Sequence, residues 1–314
     1  MSSMANYTTA DQVNLEAVSA EYALEEIVLS PLAGGAANSS FHLFSASGEF
    51  VLTILDNHDI PSARRLAAHT KTVFRLGIPT TEVVPTVEGD LIATFDGRPI
   101  ILKRWIAGEV RDPLPQPLLP EAGRVLARIH KLDPNAPDLS GVPCGTRRLS
   151  YAQEGMIPQF VDEEFGGWLS EGLGRVRAAE AKRHRASRLC HGDLFADNII
   201  ATDCGHISVL DWETISLDDP LLDLGMTIVG LGQEAGLLDL GRMEDIVGGY
   251  REIESLDEAD LIFLPMEIVY AAMIIAYHRY IRHNIRFPNP ERSSYHREMV
   301  RFVESVQNSF PMWA

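Results

Sequence analysis

A histidine, two aspartates and an asparagine lie close together in this sequence, where they could act on a phosphate. The segment LCHGDLFADNIIATDCGHISVLDWE, 189–213, places Asp193 five positions before Asn198. A carboxylate can orient an attacking alcohol and accept its proton, and an amide oxygen can bind a metal ion. A second carboxylate, Asp211, ends an apolar run that predicts a strand, so it could bind the same ion. These residue types favour metal-assisted phosphoryl transfer to an alcohol.

The spacing of Asp193 and Asn198 matches the pattern H-R-D-x-x-x-x-N, with a glycine in place of the arginine. Three fixed positions alone are a weak signal, because an Asx-rich turn that bonds its own backbone would use the same residues. The strand that ends at Asp211 and the later segment DDPLLDLG favour the catalytic interpretation. We expect His191 to brace the loop and Asp223 to hold loop N–H groups, without a part in the chemistry.

Composition narrows the class of protein. The chain has 314 residues and a net charge of -17, which argues against nucleic acid and anionic membranes as partners. We find no run of 18 apolar residues and no basic, then apolar, start, so we expect neither a membrane span nor a signal peptide. Three cysteines without metal-ligand spacing indicate reduced thiols and a cytoplasmic protein. Nothing in the sequence specifies an oligomeric state.

The pattern of apolar residues predicts a sheet-rich first part and a helix-rich second part. The first hundred residues contain short strand-like runs and one helix within segment 60–77, with Asp59 as its N-cap, Pro61 in its first turn and Gly77 just after its last residue. After Pro120 the pattern is mostly helical, and segment 260–284 is apolar enough for a core helix. We therefore expect two lobes, 1–104 and 105–314, joined within 103–110.

The segments HGDLFADNII, VLDWE and DDPLLDLG together resemble the aminoglycoside phosphotransferase superfamily, also called the phosphotransferase enzyme family. Within it, PLAGGAANSSFHLFSASGEFVLTILD and HGDLFADN are closest to the type II homoserine kinases of bacteria. The resemblance implies an α+β, protein-kinase-like bilobal fold with a small antiparallel-sheet N-lobe for nucleotide and a larger helical C-lobe for catalysis and substrate. It also implies ATP and Mg²⁺ as cofactors, Asp193 as catalytic base, and Asn198 and Asp211 as metal ligands.

A glycine-rich loop, LAGGAANSSF, separates the first two strand-like runs and suits the ATP phosphates. Gly34 and Gly35 would allow close approach of the backbone, and Asn38, Ser39 and Ser40 could donate hydrogen bonds. An ordinary hairpin turn would have the same composition. Its position ahead of the other motifs favours the phosphate-binding interpretation.

The strand after this loop lacks the lysine or arginine that the superfamily often uses to bind phosphates. The matching position holds Thr53, and the following helix, Pro61 to Leu76, contains no acid that would pair with such a cation. This departure favours the homoserine kinase branch and leaves several candidates for the cation, namely Arg64, Arg65, Lys71 and Lys103.

The segment ILKRWIAGE resembles the kinase hinge, whose backbone bonds the adenine edge. Lys103, Trp105 and Ile106 are therefore candidate nucleotide-binding residues. Packing of Trp105 between lobes is an equally good interpretation of that residue.

The acceptor is expected to be a small-molecule alcohol bound in the C-lobe. Candidate contacts are Trp212, Glu213, Tyr277, Arg279 and Arg282. An arginine could hold a carboxylate of an amino alcohol, although cations also occur at helix C-termini simply because of the helix dipole.

Three functions remain open on the sequence alone. The first is a homoserine or amino alcohol kinase. The second is an antibiotic, nucleoside or sugar kinase of the same superfamily, and the acidic surface would suit a cationic antibiotic. The third is a nucleotide-binding pseudokinase with a regulatory role, which the absent lysine would suit and the intact Asp193, Asn198 and Asp211 would not.

Overall fold

The chain forms two compact units in a computed structural model that describes residues 8–32, 38–136, 139, 141–181, 186–202 and 204–311. The described residues of Met1–Glu109, Pro137–Leu139 and Ser208–Glu213 form the first unit. Those of Val110–Ala136, Ser140–Ile207 and Thr214–Ala314 form the second. The division after Glu109 lies inside the predicted join 103–110 and beyond the predicted boundary at 104. Segment Ser208–Glu213, which carries Asp211, belongs to the first unit, whereas the sequence had placed it in the second lobe.

The first unit contains an antiparallel sheet with strand order β1-β2-β3-β6-β4, and β5 also pairs with β6. Its strands are β1 Val28–Pro31, β2 Ser39–Ser45, β3 Gly48–Ile54, β4 Val83–Val84, β5 Ala93–Phe95 and β6 Arg98–Arg104. The register places Val51 opposite Lys103 and Thr53 opposite Ile101. Lys103 therefore lies on β6, the strand that pairs with the strand carrying Thr53.

Two helices accompany this sheet, α1 Leu15–Tyr22 and α2 Ile60–Arg75. The Asp59 side chain caps α2 by accepting the N–H of Ser62 at 2.8 Å, and Gly77 takes a positive φ of 86° after its end. One face of the sheet buries a cluster around Leu43, Leu52 and Leu102. A second cluster includes Ala63 and Ala67 of α2, so one face of this helix is buried against the sheet.

The second unit is mainly helical. Its helices are α3 Leu119–His130, α4 Tyr151–Glu154, α5 Glu163–Glu180, α6 Pro220–Leu231, α7 Leu240–Arg251, α8 Glu258–Tyr280 and α9 His296–Ser309. The remaining strands of the chain are short, namely β7 Glu109–Val110, β8 Arg188–Cys190, β9 Ile199–Ala201, β10 Ile207–Val209, β11 Ser216–Asp218, β12 Gln233–Glu234 and β13 Leu237–Leu238. Strand β8 pairs with β11 in antiparallel fashion, with Cys190 opposite Ser216. This pair supports the loop that begins at His191.

Close helix contacts fill the second unit. Helices α3 and α7 approach so closely that a Cβ added to Gly249 would lie 1.9 Å from the carbonyl oxygen of Pro120, and one on Gly123 would lie 2.0 Å from that of Ile246. Among the described residues, one helical stretch, Glu258–Arg286, is long and apolar enough to cross a membrane. Since 72% of its most apolar window is buried inside the protein, we assign it as the core helix that the sequence predicted.

Candidate active site

A buried aspartate fixes the start of the predicted catalytic loop in the second unit. Asp223, in the first turn of α6, accepts the backbone N–H groups of His191 at 2.7 Å and Gly192 at 2.8 Å. It also contacts Nε2 of His130 at 3.0 Å. Burial alone would raise the pKa of Asp223, but the contact with His130 and these N–H donors outweigh it and lower the pKa. Asp223 thus holds the loop as expected.

Glycine is required at position 192 by the path of the loop. Gly192 has a φ of 81°, and an added Cβ would lie 3.1 Å from both the Thr214 carbonyl oxygen and Cγ of Arg147. The hydroxyl of Thr214 donates to the carbonyl oxygen of His191 at 2.7 Å. A loop packed this closely has no room for the arginine that the matched pattern carries here.

Asp193 and Asn198 form a hydrogen-bonded pair. The amide nitrogen of Asn198 donates to the backbone carbonyl of Asp193 at 2.9 Å and to its Oδ2 at 3.3 Å. The backbone N–H of Asp193 donates to Nδ1 of His191 at 3.1 Å, so His191 braces the loop as predicted. Because the amide nitrogen is committed to Asp193, the carbonyl oxygen of Asn198 is the atom suited to a metal ion.

An arginine from outside the loop contacts the carboxylate of Asp193. Arg147 forms an ion pair with Oδ1 of Asp193, and its Nε donates to the carbonyl oxygen of Gly192 at 2.6 Å. The two side chains are 24% and 25% exposed, so both reach solvent. The base predicted from the sequence therefore has a cation beside it.

His278 of α8 belongs to the same electrostatic environment. Its ring lies edge-on to that of Tyr277, with centroids 5.5 Å apart. His278 keeps an exposed surface, yet desolvation by the surrounding protein and the positive charges of Arg147 and Arg286 lower its pKa to about 4. It is therefore neutral at physiological pH.

A cleft with a volume of ≈ 310 Å³ borders the catalytic loop within the second unit. Loop residues 195–197 form one wall, and the ends of α6 and α8 form others. Its polar lining comprises Asp112, Asp197, Gln233, Arg242 and Arg279. An added Cβ on Gly230 would lie 2.1 Å from Cδ1 of Phe195, so the loop packs directly on the backbone of α6. The cleft is large enough for a small polar molecule.

The first unit gathers a lysine and two carboxylates. Burial lowers the pKa of the Lys103 ammonium, while the negative charges of Asp211 and Glu213 act to raise it. Asp211 has a left-handed backbone with φ of 58°, and its Oδ1 accepts the N–H of Glu213 at 3.1 Å. The Lys103 ammonium thus lies near the two carboxylates at the end of segment 208–213.

Glu213 connects three segments of the first unit. Its Oε1 contacts Nε2 of His58 at 3.1 Å and accepts the amide of Asn38 at 2.8 Å. The hydrogen bond from His58, opposed by burial, lowers the pKa of Glu213, and the same contact raises the pKa of His58. Asn38 of the predicted glycine-rich loop and His58 of the turn before α2 thus contact the same carboxylate.

The predicted phosphate-loop residues have mixed outcomes. Gly34 and Gly35 lie outside the described residues, and Asn38 bonds Glu213. The hydroxyl of Ser40 contacts that of Thr53 at 3.3 Å. The prediction that Ser39 donates to phosphate is corrected, because its hydroxyl donates to Asp56 at 2.6 Å and accepts the N–H of Thr8. Side chains alternate along a strand, so Ser39 and Ser40 lie on opposite faces of the sheet.

The hinge residues lie at the end of β6. The Trp105 ring stacks on that of His42, with centroids 3.7 Å apart, and the backbone N–H of Trp105 donates to the carbonyl oxygen of Glu49 at 3.1 Å. Ile106 is partly buried. The Trp105 ring therefore packs within the first unit, on a residue of the neighbouring sheet rather than between the lobes.

The predicted acceptor contacts are distributed over both units. Trp212 is 2% exposed, and its indole N–H donates to Thr80 at 3.0 Å, so it is a core residue of the first unit rather than a substrate contact. Tyr277 is buried, with its hydroxyl 3.9 Å from the sulfur of Met156. Arg279 lines the cleft but pairs with Glu298 at 2.9 Å, and Arg282 is exposed on the π-helical turn Ile281–Arg286.

Sequence reasoning missed Arg147, His58 and His278. Arg147 lies in an irregular stretch with no period to reveal its direction, and the adjacent Arg148 is engaged by Asp218 and Glu180. His58 stands in a polar turn whose composition is ordinary. Only the fold brings Arg147 beside Asp193 and His58 beside Glu213.

Comparison with known proteins agrees with this architecture. The sequence profile of the phosphotransferase enzyme family matches residues 28–256. A homoserine kinase of Burkholderia multivorans is 28% identical over 275 residues, covering 80% of this chain and 79% of that protein. A spectinomycin phosphotransferase solved with ADP and spectinomycin superposes with a TM-score of 0.70 at 17% identity, covering 96% of this chain and 99% of that one.

A third similar protein is a microcompartment-associated aminopropanol kinase, with a TM-score of 0.67 at 15% identity, covering 95% of this chain and 97% of that one. These likenesses establish a protein-kinase-like bilobal α+β fold, as the sequence predicted. Together with the match over most of its length, they show that this chain belongs to the phosphotransferase enzyme family and is a small-molecule kinase.

Proposed function

We propose that this enzyme uses ATP and Mg²⁺ to phosphorylate the hydroxyl group of homoserine or of a closely related amino alcohol. The homoserine kinases among its relatives, at 23–28% identity over about three quarters of the chain or more, support this acceptor. The hydrogen-bonded pair of Asp193 and Asn198 is the observation that carries the kinase chemistry.

Asp193 would orient the acceptor hydroxyl and take its proton. The hydroxyl oxygen forms a bond to the γ-phosphorus of ATP while the bond from that phosphorus to the β,γ-bridging oxygen breaks, which gives ADP and a phosphate ester. The brace from Asp223 and His191 supports this role, because a base must be held in place to act in the transition state.

Two oxygens suit a magnesium ion, which when bound would neutralise phosphate charge. In the second unit, the carbonyl oxygen of Asn198 is the end of its amide that Asp193 does not use. In the first unit, Asp211 offers a carboxylate whose direction is set by the N–H of Glu213. Carboxylate and amide oxygens are hard ligands of the kind that Mg²⁺ prefers.

We assign to Lys103 the binding of nucleotide phosphates. Of the four candidate cations, Arg64 is committed to a surface pair with Asp90 at 3.0 Å. Lys103 instead lies near Asp211 and Glu213, and burial has lowered its pKa, so phosphate charge would favour its protonated form. This assignment accounts for Thr53 at the position where the superfamily often has its cation.

A panel of acceptors at equal concentration, with ATP and Mg²⁺ and with ADP release as the readout, tests the proposal. We expect homoserine to give a kcat/KM at least about 10²-fold above that of any aminoglycoside, nucleoside or sugar. A higher kcat/KM with one of those classes would overturn the acceptor and leave the kinase assignment standing.

We also propose that the enzyme works in the cytoplasm, without nucleic acid or membrane as partner. The three cysteines are all free thiols, as in a reducing compartment, and the chain is strongly acidic. Recovery of the native enzyme in the membrane fraction after cell lysis would contradict this.

A further inference from the structure

Arg147 differs from its neighbours in the identity of its partner. Arg148 pairs with Asp218 at 2.7 Å and with Glu180, Arg177 pairs with Glu180 at 3.0 Å, and Arg279 pairs with Glu298. Those carboxylates have no part in the proposed chemistry. Arg147, among the described residues, pairs with the carboxylate of the catalytic Asp193. A permanent pair of that kind would keep the base from the acceptor hydroxyl.

The guanidinium of Arg147 has donors to spare. Its described contacts use Nε, on the carbonyl oxygen of Gly192 at 2.6 Å, and Nη2, on Asp193. An arginine has five N–H donors in a planar fork that can bind a carboxylate with two of them. When Asp193 turns to a hydroxyl, the N–H donors that it leaves on Arg147 can bind a second carboxylate. An acceptor that carries its own carboxylate supplies one.

We propose that Arg147, assisted by Arg286, binds the carboxylate of the acceptor and so selects amino acids that bear a side-chain hydroxyl. This proposal rests on the proposed function and specifies which part of the acceptor is recognised. Arg286 ends the π-helical turn after α8 and is exposed, so it can approach a ligand from solvent.

The electrostatic environment supports this choice of ligand. The charges of Arg147 and Arg286 both reach His278, where they help to depress its pKa. His278 therefore stays neutral and can donate or accept a hydrogen bond without adding to the positive charge. A cationic acceptor would be repelled from this region, whereas a carboxylate would be attracted.

Homoserine and 3-aminopropan-1-ol test the proposal, since they differ only in the carboxylate. Steady-state kinetics are compared for the wild type, Arg147→Met, Arg286→Met and the control Arg175→Met, an exposed arginine of α5. We expect the wild type to favour homoserine by about 10²-fold in kcat/KM, and Arg147→Met to lose most of that preference. Arg286→Met should raise the KM for homoserine several-fold and leave 3-aminopropan-1-ol unaffected, and Arg175→Met should change neither.

The possible outcomes separate the two proposals. If Arg147→Met lowers kcat/KM equally for both acceptors and Arg286→Met has no selective effect, Arg147 serves only Asp193 or the phosphate. That result would overturn the inference and leave the proposed function standing. A wild type that phosphorylates neither compound would overturn the proposed acceptor and the inference with it. Circular dichroism of each variant shows whether it has folded, and Arg286→Met, at an exposed site, remains decisive if Arg147→Met does not fold.

Discussion

Asp193 combines a fixed backbone with a carboxylate that has both a cation and an amide beside it. We predict that Asp193→Asn lowers kcat by about 10³-fold, because the amide cannot accept the proton of the hydroxyl. The affinity for ATP should change little, since no nucleotide contact is assigned to this side chain. Steady-state turnover and calorimetric nucleotide binding check both parts. Turnover close to that of the wild type would rule out Asp193 as the base.

Lys103 permits a second prediction at this scale. Lys103→Met should raise the KM for ATP and lower kcat, together reducing kcat/KM for ATP by about 10²-fold, because a charged contact to phosphate is lost. Arg64→Met is the matched control, since its cation is paired with Asp90 on the surface. If the two variants have the same kcat/KM, another cation binds the phosphates.

The pair of His58 and Glu213 should make stability depend on pH. The raised pKa of His58 means that its contribution is present below its unfolded value of 6.5 and is lost as pH rises through the higher folded value. The lowered pKa of Glu213 means that its contribution is present above 4.5 and is lost as pH falls through the lower folded value.

We therefore predict that His58→Gln lowers the free energy of unfolding by about 1 kcal/mol near pH 5.5 and by much less near pH 8.5. Urea unfolding at the two pH values measures this difference. The exposed His206, changed to Gln, provides the control and should show no such dependence. A loss in His58→Gln that is equal at both pH values would contradict the ion pair.

At the scale of elements, the features predicted best from the sequence are those that depend on interactions between residues close together in the chain. Helix α2 begins after Asp59 and ends before Gly77 as expected, because capping and periodicity act within a few residues. The helical contact between Gly249 and Pro120 was not predictable, since nothing in a helix pattern says which partner comes close. The burial of Trp212 was missed for the same reason: its partner, Thr80, lies far away in the sequence.

The α3–α7 contact provides a prediction with a control on the same helix. Gly249→Ala should destabilise the protein by about 3 kcal/mol or more, because its Cβ would meet the Pro120 carbonyl and force the helices apart. Gly248→Ala has no atom within 4 Å of its Cβ and should stabilise by about 0.5–1 kcal/mol through helix propensity. Equal shifts in the thermal midpoints would show that the helices do not pack this closely.

At the scale of the whole molecule, order along the chain does not decide which unit a segment joins. Asp211 follows Asp193 by a short interval, yet Ser208–Glu213 belongs to the first unit, and Asp193 to the second. A sequence shows when two motifs are neighbours along the chain, but assignment to a unit depends on contacts with distant residues. For segment 208–213 such a contact is Thr80, whose hydroxyl donates to the carbonyl oxygen of Val209 at 2.6 Å.

Metal-dependent nucleotide binding should be visible as a change in the stability of the entire protein. We predict that ADP with Mg²⁺, at about 100 times its Kd, stabilises the wild type by about 2.7 kcal/mol, and ADP without Mg²⁺ by clearly less. Asp211→Ala should abolish the difference between the two conditions. Differential scanning fluorimetry measures it, and a variant whose melting still responds to Mg²⁺ would exclude Asp211 as a ligand.

The reactivity of Cys190 can report the opening of the loop that begins at His191. Its thiol is 2% exposed and immediately precedes His191, and burial raises its pKa well above the usual range, whereas Cys144 and Cys204 are exposed. Alkylating reagents should therefore modify two thiols rapidly and the third only when β8 and β11 separate. The rate of the slow labelling phase measures how often the loop opens in the native, unmutated enzyme. Comparing this rate with and without each substrate would show how strongly that substrate stabilises the closed loop.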